Sequence, residues 1–327
     1  GLSGDAITTG IGNVAVGYNA LTVHTTGNNN VAIGNVALES NTTASDIVAV
    51  GVAALRLNTT GANNVAVGAY SLDANTTGAL NTAVGDNSLG ANTTASNNTA
   101  VGAGAGDAIT TGNDNTAVGS SALTTNITGT NNVAMGVSAL KLNTGSSNTA
   151  VGRGALLNQA AASSNTAIGY DAGNDITTGI QNTAVGDNAL AKNTTAGTNV
   201  AVGYQAMYAN TTGANNTAIG YFALDSNTTA AGNFAAGYKA LEDCTVGHSN
   251  AASGAYALFN VTDGDHNTGH GYGAGSNVTT GGANTFIGSG AGDAITTGSQ
   301  NILIGYVATA SAVGAANQTV IGAGVTC

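Results

Sequence analysis

Two cysteines and four histidines are the side chains of this 327-residue chain best suited to metal binding or nucleophilic catalysis. His266 and His270 are four residues apart, which would place both imidazoles on one face of a helix, but their surroundings indicate strand and turn. Cys244 and Cys327 lack the short paired spacing of a metal site. No Ser/His/Asp set is recognisable. The sequence therefore predicts a protein that is not an enzyme and that has no cofactor.

Carboxylates offer one weak candidate for a metal site. The segment that runs from Gly102 to Ile109 faintly resembles the calcium-binding nonapeptide of β-rolls, which makes Asp107 and the equivalent Asp293 calcium candidates. The segment does not recur every nine residues, and it lacks two of the motif glycines. The alternative is a structural variant of the repeat in which Ile109 replaces a missing core leucine.

Tyrosine offers a candidate surface for carbohydrate. Seven of the ten tyrosines directly follow a periodic glycine, and Tyr204, Tyr221 and Tyr238 do so at successive repeats. Stacked in register, these three would form an aromatic strip that could receive the rings of cell-surface glycans. The alternative is aromatic pairing between repeats that only stiffens the sheet.

The elements that must position these residues are set by a glycine period. Seventeen of the eighteen intervals between periodic glycines are 17 residues long, and the exception, from Gly136 to Gly152, is 16. A strict period over the whole chain indicates one small structural unit stacked on itself. The periodic glycines, called anchors below, are Gly17, Gly34, Gly51, Gly68, Gly85, Gly102, Gly119, Gly136, Gly152, Gly169, Gly186, Gly203, Gly220, Gly237, Gly254, Gly271, Gly288, Gly305 and Gly322.

With the anchor as position 1, the unit reads G-x-x-A-L-x-x-N-T-T-G-x-x-N-T/V-A-V/I. Positions 14–17 are rich in β-branched residues and predict a strand, whereas the N-T-T-G segment at positions 8–11 predicts a turn. Alanine replaces the turn glycine in some units, such as Ala44 and Ala95, so that position need not be left-handed. We predict an all-β, parallel β-solenoid of about 19 coils, with about two short strands and two turns per coil.

Recurring residue types predict the columns of the stack. The apolar residue at position 17 and the leucine at position 5 are expected to fill the core, and the asparagine at position 14 is expected to form a ladder of amides along the axis. His270 would then replace a core valine. Alanine at position 16, on the opposite strand face, predicts close packing against another copy of the chain. The predicted structural ladder comprises Gly17, Gly34, Gly51, Gly68, Gly85, Asn64, Asn81, Asn98, Val67, Val84, Leu72 and Leu89.

Composition excludes several classes of protein. Charged residues are 6% of the chain and the formal charge is −11, with no basic patch that could neutralise nucleic-acid phosphates. No apolar stretch is long enough for a membrane helix. A hydrophobic content of 42% and the absence of proline argue against disorder and for extensive backbone pairing. Residues 1–327 are predicted to be a single continuous repeat region, truncated in mid-repeat at both ends.

The pattern N-T-A-V-G-x-x-A-L-x-x-N-T-T-G resembles repeats of phage tail-fibre-type proteins and, more distantly, the head repeats of trimeric autotransporter adhesins. The resemblance implies a left-handed homotrimeric β-roll without enzymatic activity, located extracellularly, on a cell surface or on a virion. The expected function is a stiff shaft of a tail fibre, adhesin or filament. Two alternatives are an ice-binding solenoid, in which the Thr-Thr turns form a regular array, and a self-polymerising functional amyloid.

Overall fold

The computed structural model describes residues 3–326 and divides the chain into two compact units, Gly1–Ser164 (unit 1) and Asn165–Cys327 (unit 2). Each unit is a parallel β-solenoid with a 17-residue repeat, and the described residues form nineteen strands and no helix. The predicted all-β, parallel β-solenoid with a 17-residue repeat is therefore confirmed. Cys327 lies outside the described residues.

Each strand is three residues long and occupies positions 15–17 of its coil. In unit 1 the strands are β1 (Val14–Val16), β2 (Val31–Ile33), β3 (Val48–Val50), β4 (Val65–Val67), β5 (Thr82–Val84), β6 (Thr99–Val101), β7 (Thr116–Val118), β8 (Val133–Met135) and β9 (Thr149–Val151). In unit 2 they are β10 (Thr166–Ile168), β11 (Thr183–Val185), β12 (Val200–Val202), β13 (Thr217–Ile219), β14 (Phe234–Ala236), β15 (Ala251–Ser253), β16 (Thr268–His270), β17 (Thr285–Ile287), β18 (Ile302–Ile304) and β19 (Thr319–Ile321). Within each unit, consecutive strands pair in parallel with equivalent positions opposite each other, as Ala66 does with Ala83.

The prediction of two strands per coil is wrong, because each coil has one strand and the rest is turn. Positions 3, 5 and 13 adopt left-handed backbone conformations, shown in one coil by Tyr70 (φ 55°), Leu72 (φ 51°) and Leu80 (φ 61°). A residue at such a φ cannot continue a strand. The turn glycines Gly61 and Gly78 lie outside the left-handed region, which confirms the inference from their alanine replacements.

The anchor glycine has a steric cause. Gly68 has a φ of +137°, and a Cβ added there would lie 2.4 Å from the carbonyl oxygen of Gly85 in the next coil. The same obstruction recurs wherever an anchor is followed by another anchor of the same unit. A side chain at position 1 would therefore both strain the backbone and push the coils apart.

The strand faces are oriented opposite to the prediction. Ala66 and Ala83 are completely buried, whereas Val67 is 37% exposed and Val84 is partly exposed. Alternate strand residues point to opposite faces, and a 17-residue coil is so narrow that, where leucine and asparagine fill the interior, alanine is the residue that fits between the strand and the facing wall. Val67 and Val84 are thus not core residues, and His270 occupies the outer face as well. The alanine column is interior, so it cannot pack against another copy.

The interior combines apolar and amide side chains. Leu72 and Leu89 are fully buried, and so are the asparagines at positions 8 and 14. In unit 2 the volumes of neighbouring positions compensate. Phe286 replaces the alanine at position 16, and glycine replaces leucine at position 5 in Gly275 and Gly292, where an added Cβ would lie 2.4 Å and 2.2 Å from the Phe286 ring.

The single short coil keeps the strand register. Met135 pairs with Val151, so the 16-residue offset does not shift any residue to the other face. The residue is lost from the turn, where the amide oxygen of Asn143 accepts the backbone N–H of Gly145 at 2.9 Å. The turn absorbs the deletion because the strand cannot.

Candidate functional site

The asparagines at position 14 form a ladder that joins side chains to backbone. The Asn64 Oδ1 accepts the backbone N–H of Asn81 at 2.9 Å, and the Asn81 Oδ1 accepts that of Asn98 at the same distance. The Asn81 Nδ2 donates to the carbonyl of Ala95 at 2.8 Å. Each amide therefore forms hydrogen bonds with backbone groups of the next coil. These groups lie outside the three-residue strands and are not paired by the sheet. This is mainly a backbone bridge, with direct amide–amide bonds in only some coils.

A second ladder of buried amides lies at position 8. The Asn75 Nδ2 donates to the Asn58 Oδ1 at 2.8 Å and to the carbonyl of Gly78 at 3.0 Å. Sequence reasoning assigned this asparagine to turn formation alone. The recurrence of asparagine at a fixed position of the repeat was the signal that could have predicted this second ladder. Both ladders are buried and bonded internally, so they stabilise the coil and are not arranged to bind a ligand.

Replacements at position 8 are accommodated inside the coil. The Nε2 of His24 lies 2.6 Å from the carbonyl oxygen of Gly27, and its Nδ1 lies 3.0 Å from the Asn41 Nδ2. The Cys244 thiol donates to the carbonyl of Gly247 at 3.3 Å, and burial raises its pKa to about 12. Both side chains replace a structural asparagine and form their hydrogen bonds inside the coil.

The calcium candidates have few polar partners. The Asp107 carboxylate accepts a hydrogen bond from the Asn87 Nδ2 at 2.6 Å, and burial raises the pKa of Asp107. The Asp293 carboxylate accepts one from the Ser276 Oγ at 3.2 Å. Among residues 3–326 no three His, Cys, Asp or Glu side chains come together as a metal site. The glycines of the Asp107 segment, such as Gly104 at φ +63°, occupy left-handed positions of the coil.

The threonines of the turn are partly committed to internal bonds. At position 9 the Thr59 Oγ1 donates to the carbonyl of Thr76 at 2.9 Å, and the Thr76 Oγ1 donates to that of Thr93 at 3.0 Å. Equivalent bonds recur in both units. Only the threonine at position 10, such as Thr77, presents its hydroxyl to solvent.

The outer strand face, defined as the side chains at positions 15 and 17, carries mostly valine or threonine at position 15 and mostly valine or isoleucine at position 17. Val67 and Val101 are 37% and 38% exposed, and in unit 2 Ile168 and Ile219 are 41% and 44% exposed. Consecutive coils bring equivalent side chains to about 4.8 Å from each other. An exposed apolar column of this kind, interrupted in unit 2 at Ser253 and His270, indicates an interaction surface.

The aromatic residues of unit 2 form a second surface. The rings of Tyr204 and Tyr221 stack at 5.1 Å, and those of Tyr221 and Tyr238 stack at 5.5 Å. Tyr238 and Tyr256 then meet edge to face at 5.3 Å. Lys239, beside Tyr238, pairs with Glu242 at 3.0 Å.

Asp225 lies beside this pair. Burial, together with the negative charge of Glu242, raises the pKa of Asp225 to about 6, although Lys239 opposes the shift. Its Oδ1 has no hydrogen-bond partner. The carboxyl group is therefore destabilised in its charged form.

Comparison of the chain with protein-family models, with curated proteins and with solved structures gives no match. Among the described residues no helix is long and apolar enough to cross a membrane.

Proposed function

We propose that this chain is a non-enzymatic structural segment, the stiff shaft of a phage tail fibre or of an extracellular adhesin or filament. In this proposal it forms a left-handed homotrimer and is located outside the cell or on a virion. Its partners are further copies of itself, with no bound nucleic acid or membrane. A receptor or glycan is engaged by a tip that this segment holds at a distance.

The observation that carries this proposal is the outer strand face. Valine and isoleucine side chains at position 17 are partly exposed along most of each unit, although the neighbouring position-16 residue, usually alanine, is buried in β2–β19. Burying such a column against an identical column removes apolar surface from water at every coil, at about 25 cal/mol per Å². A repeated surface favours a repeated partner, which a second copy of the chain supplies.

The interior supports the same conclusion. Most coils use the same anchor, leucine and amide contacts, so stability is spread along the repeat and depends little on unique residues. Such an arrangement suits a spacer, whose mechanical role requires uniform resistance to bending.

Sedimentation equilibrium tests this proposal. We expect the wild-type chain to sediment as a trimer and the double variant Val67→Glu/Val101→Glu to sediment as a monomer, because two charges would be buried at the interface. The matched control Thr77→Glu/Thr111→Glu, on the exposed turn of the same unit, should remain trimeric. A wild-type monomer at all concentrations would contradict the proposal, and seeded end-to-end growth would favour the amyloid alternative.

A second candidate function, ice binding, is favoured by a different property of the same face. In unit 1, Thr82, Thr99 and Thr116 occupy position 15 of consecutive coils, each with a valine two residues later on the same side. This arrangement places hydroxyl and methyl groups in an array with repeats of about 4.8 Å along the stack and about 6.6 Å along the strand. The Thr-Thr turns are a poorer candidate for ice binding, because their position-9 hydroxyls donate to backbone carbonyls of the next coil.

The two candidates are separable because a trimer interface would cover the face that ice requires. A thermal-hysteresis assay should show no activity if the fibre proposal is correct. If hysteresis is present, Thr99→Lys on the strand should abolish it and Thr94→Lys in the turn should not. Hysteresis in a monomeric protein would replace the fibre proposal with the ice-binding one.

A further inference from the structure

The aromatic residues of this chain are unevenly distributed. Twelve of the fourteen tyrosines and phenylalanines fall within residues 165–327. Most of them occupy positions 2, 3 and 6 of their coils and therefore share one lateral face of unit 2, separate from the outer strand face. The chain of ring contacts ends at Tyr272, which meets Tyr256 edge to face at 5.9 Å.

Beyond Tyr272 this face opens into a cleft. Position 3 is glycine in two consecutive coils, at Gly273 and Gly290, where most other coils carry a side chain. A Cβ added to Gly273 would come no closer than 4.0 Å to another group, and one added to Gly290 would lie 3.5 Å from the Val307 side chain, an ordinary contact, so side chains at both positions are missing without a clash to exclude them. The resulting cleft has a volume of about 490 Å³ and is bounded by Tyr256 and Phe259 on one side and by Tyr306 on the other. That volume is within the range of small-ligand sites, about 300–1,000 Å³.

The walls of the cleft present exposed phenol rings. Tyr272 and Tyr306 both occupy position 2, two coils apart, and are 63% and 66% exposed. The smaller Ser289 occupies the coil between them. The two tyrosines are thus offset by about 10 Å along the stack, twice the strand spacing, with room for a ligand ring above Ser289. Such rings combine an apolar face with a polar edge.

The polar groups of the cleft are held in place by bonds between coils. The Asn260 Nδ2 donates to the carbonyl of Ser276 at 2.7 Å, and the Asn277 Nδ2 donates to the carbonyl of Asp293 at 2.9 Å. The Ser276 Oγ donates to the Asp293 Oδ1 at 3.2 Å. The amide oxygens take no part in these bonds, so fixed acceptors are available beside the aromatic walls.

We infer that this cleft binds a neutral saccharide through its tyrosine rings and its amide and carboxylate oxygens. A pyranose ring has an apolar C–H face that packs on a phenol ring and hydroxyl groups that donate to fixed acceptors. No lysine or arginine lines the cleft, and Asp293 is its one charged residue. These features disfavour sialylated or sulfated glycans. The site lies on the wall of unit 2 and does not depend on the oligomeric state or on a separate tip.

An array of neutral hexose and N-acetylhexosamine oligosaccharides, followed by calorimetric titration of the strongest binder, tests the inference. Gly290→Asn should fill the cleft and weaken binding at least about tenfold, and the fold should be retained because asparagine tolerates the left-handed conformation of this position. Tyr272→Ala should weaken binding similarly by removing one wall. The matched control Tyr18→Ala removes an exposed tyrosine at the same coil position in unit 1 and should leave affinity unchanged.

Each variant's thermal midpoint is compared with that of the wild type, which separates loss of the site from loss of the fold. The inference is overturned if no neutral oligosaccharide binds, or if Gly290→Asn binds as tightly as the wild type. Preferential binding of a heparin hexasaccharide or a sialylated trisaccharide would also overturn it, as would binding of a proline-rich peptide alone.

Discussion

At the scale of single residues, the coil interior determines chemical behaviour more strongly than residue type does. A cysteine, a histidine and several asparagines at position 8 all act as internal hydrogen-bonding groups. Asp225 shows the opposite case, since it is a carboxylate placed where its charged form is poorly solvated. Both cases lead to measurable consequences.

Cys244 should be unreactive in the folded protein. Burial raises its pKa to about 12, so very little thiolate forms at neutral pH, and the buried sulfur is inaccessible to reagents. In a Cys327→Ser background we expect no labelling by a thiol reagent until the protein is unfolded in guanidinium chloride. Ser120→Cys, on the exposed surface of unit 1, should be labelled at once when introduced into a cysteine-free background. Rapid labelling of folded Cys244 would show that its coil opens.

Asp225 should make stability depend on pH. Its folded pKa of about 6 lies above the unfolded value of about 3.9, so the folded state binds more protons in this window and stability falls as pH rises from about 4 to 6. We expect Asp225→Asn to raise the thermal midpoint at pH 7.5 and to flatten this pH dependence. Asp86→Asn, an exposed carboxylate of unit 1, should change neither. An unchanged pH profile in Asp225→Asn would contradict the assignment.

At the scale of the coil, two constraints define the repeat: a glycine where coils approach and a small residue where the strand faces inward. Each constraint is local, and each can be tested by comparing two neighbouring positions that differ in only one respect.

The first comparison is between Gly102 and Gly104. Both have positive φ, but a Cβ on Gly102 would lie 2.7 Å from the Gly119 backbone, whereas Gly104 has open space around it. Gly104→Ala should cost about 1–2 kcal/mol for the left-handed conformation alone. Gly102→Ala adds a clash to backbone strain, and each of these costs about 1–3 kcal/mol. Chemical denaturation of the two variants checks the order, and equal costs would show that the anchor has only a conformational role.

The second comparison is between Ala66 and Val67. Ala66→Val overpacks a closed interior and should destabilise the protein by about 1–3 kcal/mol. Val67→Ala changes an outer residue and should alter the stability of the monomer by no more than about 0.5 kcal/mol. Denaturation measured over a dilution series separates any effect on assembly. The reverse order would restore the initial assignment of valine to the core.

At the scale of the whole molecule, ionic interactions contribute little. The described residues contain three ion pairs, all partly exposed: Arg56–Asp73, Lys192–Asp175 and Lys239–Glu242. Such pairs typically contribute about 0–1 kcal/mol each. Stability must therefore come from the backbone pairing, the amide ladders and the leucine and alanine columns.

Salt should accordingly have a small effect on unfolding. Raising sodium chloride screens the three pairs and also the repulsion that arises from the charge of −11, and these two changes oppose each other. We expect the thermal midpoint to stay within about 5 °C between low and high salt, since about 1 kcal/mol corresponds to a few degrees at this size. A larger decrease at high salt would mean that ion pairs support the fold.

The sequence by itself determined the coil length, the parallel pairing of the strands and the position of the coil that requires glycine. These follow from the period, because a register of 17 residues is the only one that brings every anchor opposite an anchor. It also located the residue lost from the short coil, since a turn can shorten whereas a paired strand cannot.

Only the tertiary structure decided which strand face is inside. Alternation separates Ala66 from Val67 without saying which of them points inward, and the larger apolar residue was the natural choice for a core. The deciding quantity is the width of the coil. Leu72, Asn75 and Asn81 already fill the interior, so little space remains for the inward strand residue. Alanine at position 16 from Ala15 to Ala252 was a signal of this limit, as was the variation at position 17.

The candidate sites divide in the same way. The tyrosines at position 2 are apparent from the period, so an aromatic strip at Tyr204, Tyr221 and Tyr238 was predictable. The cleft was not, because it arises where the side chains missing at Gly273 and Gly290 leave open space between neighbouring coils. A sequence records which side chains are present, whereas an empty volume exists only once the surrounding coils are in place.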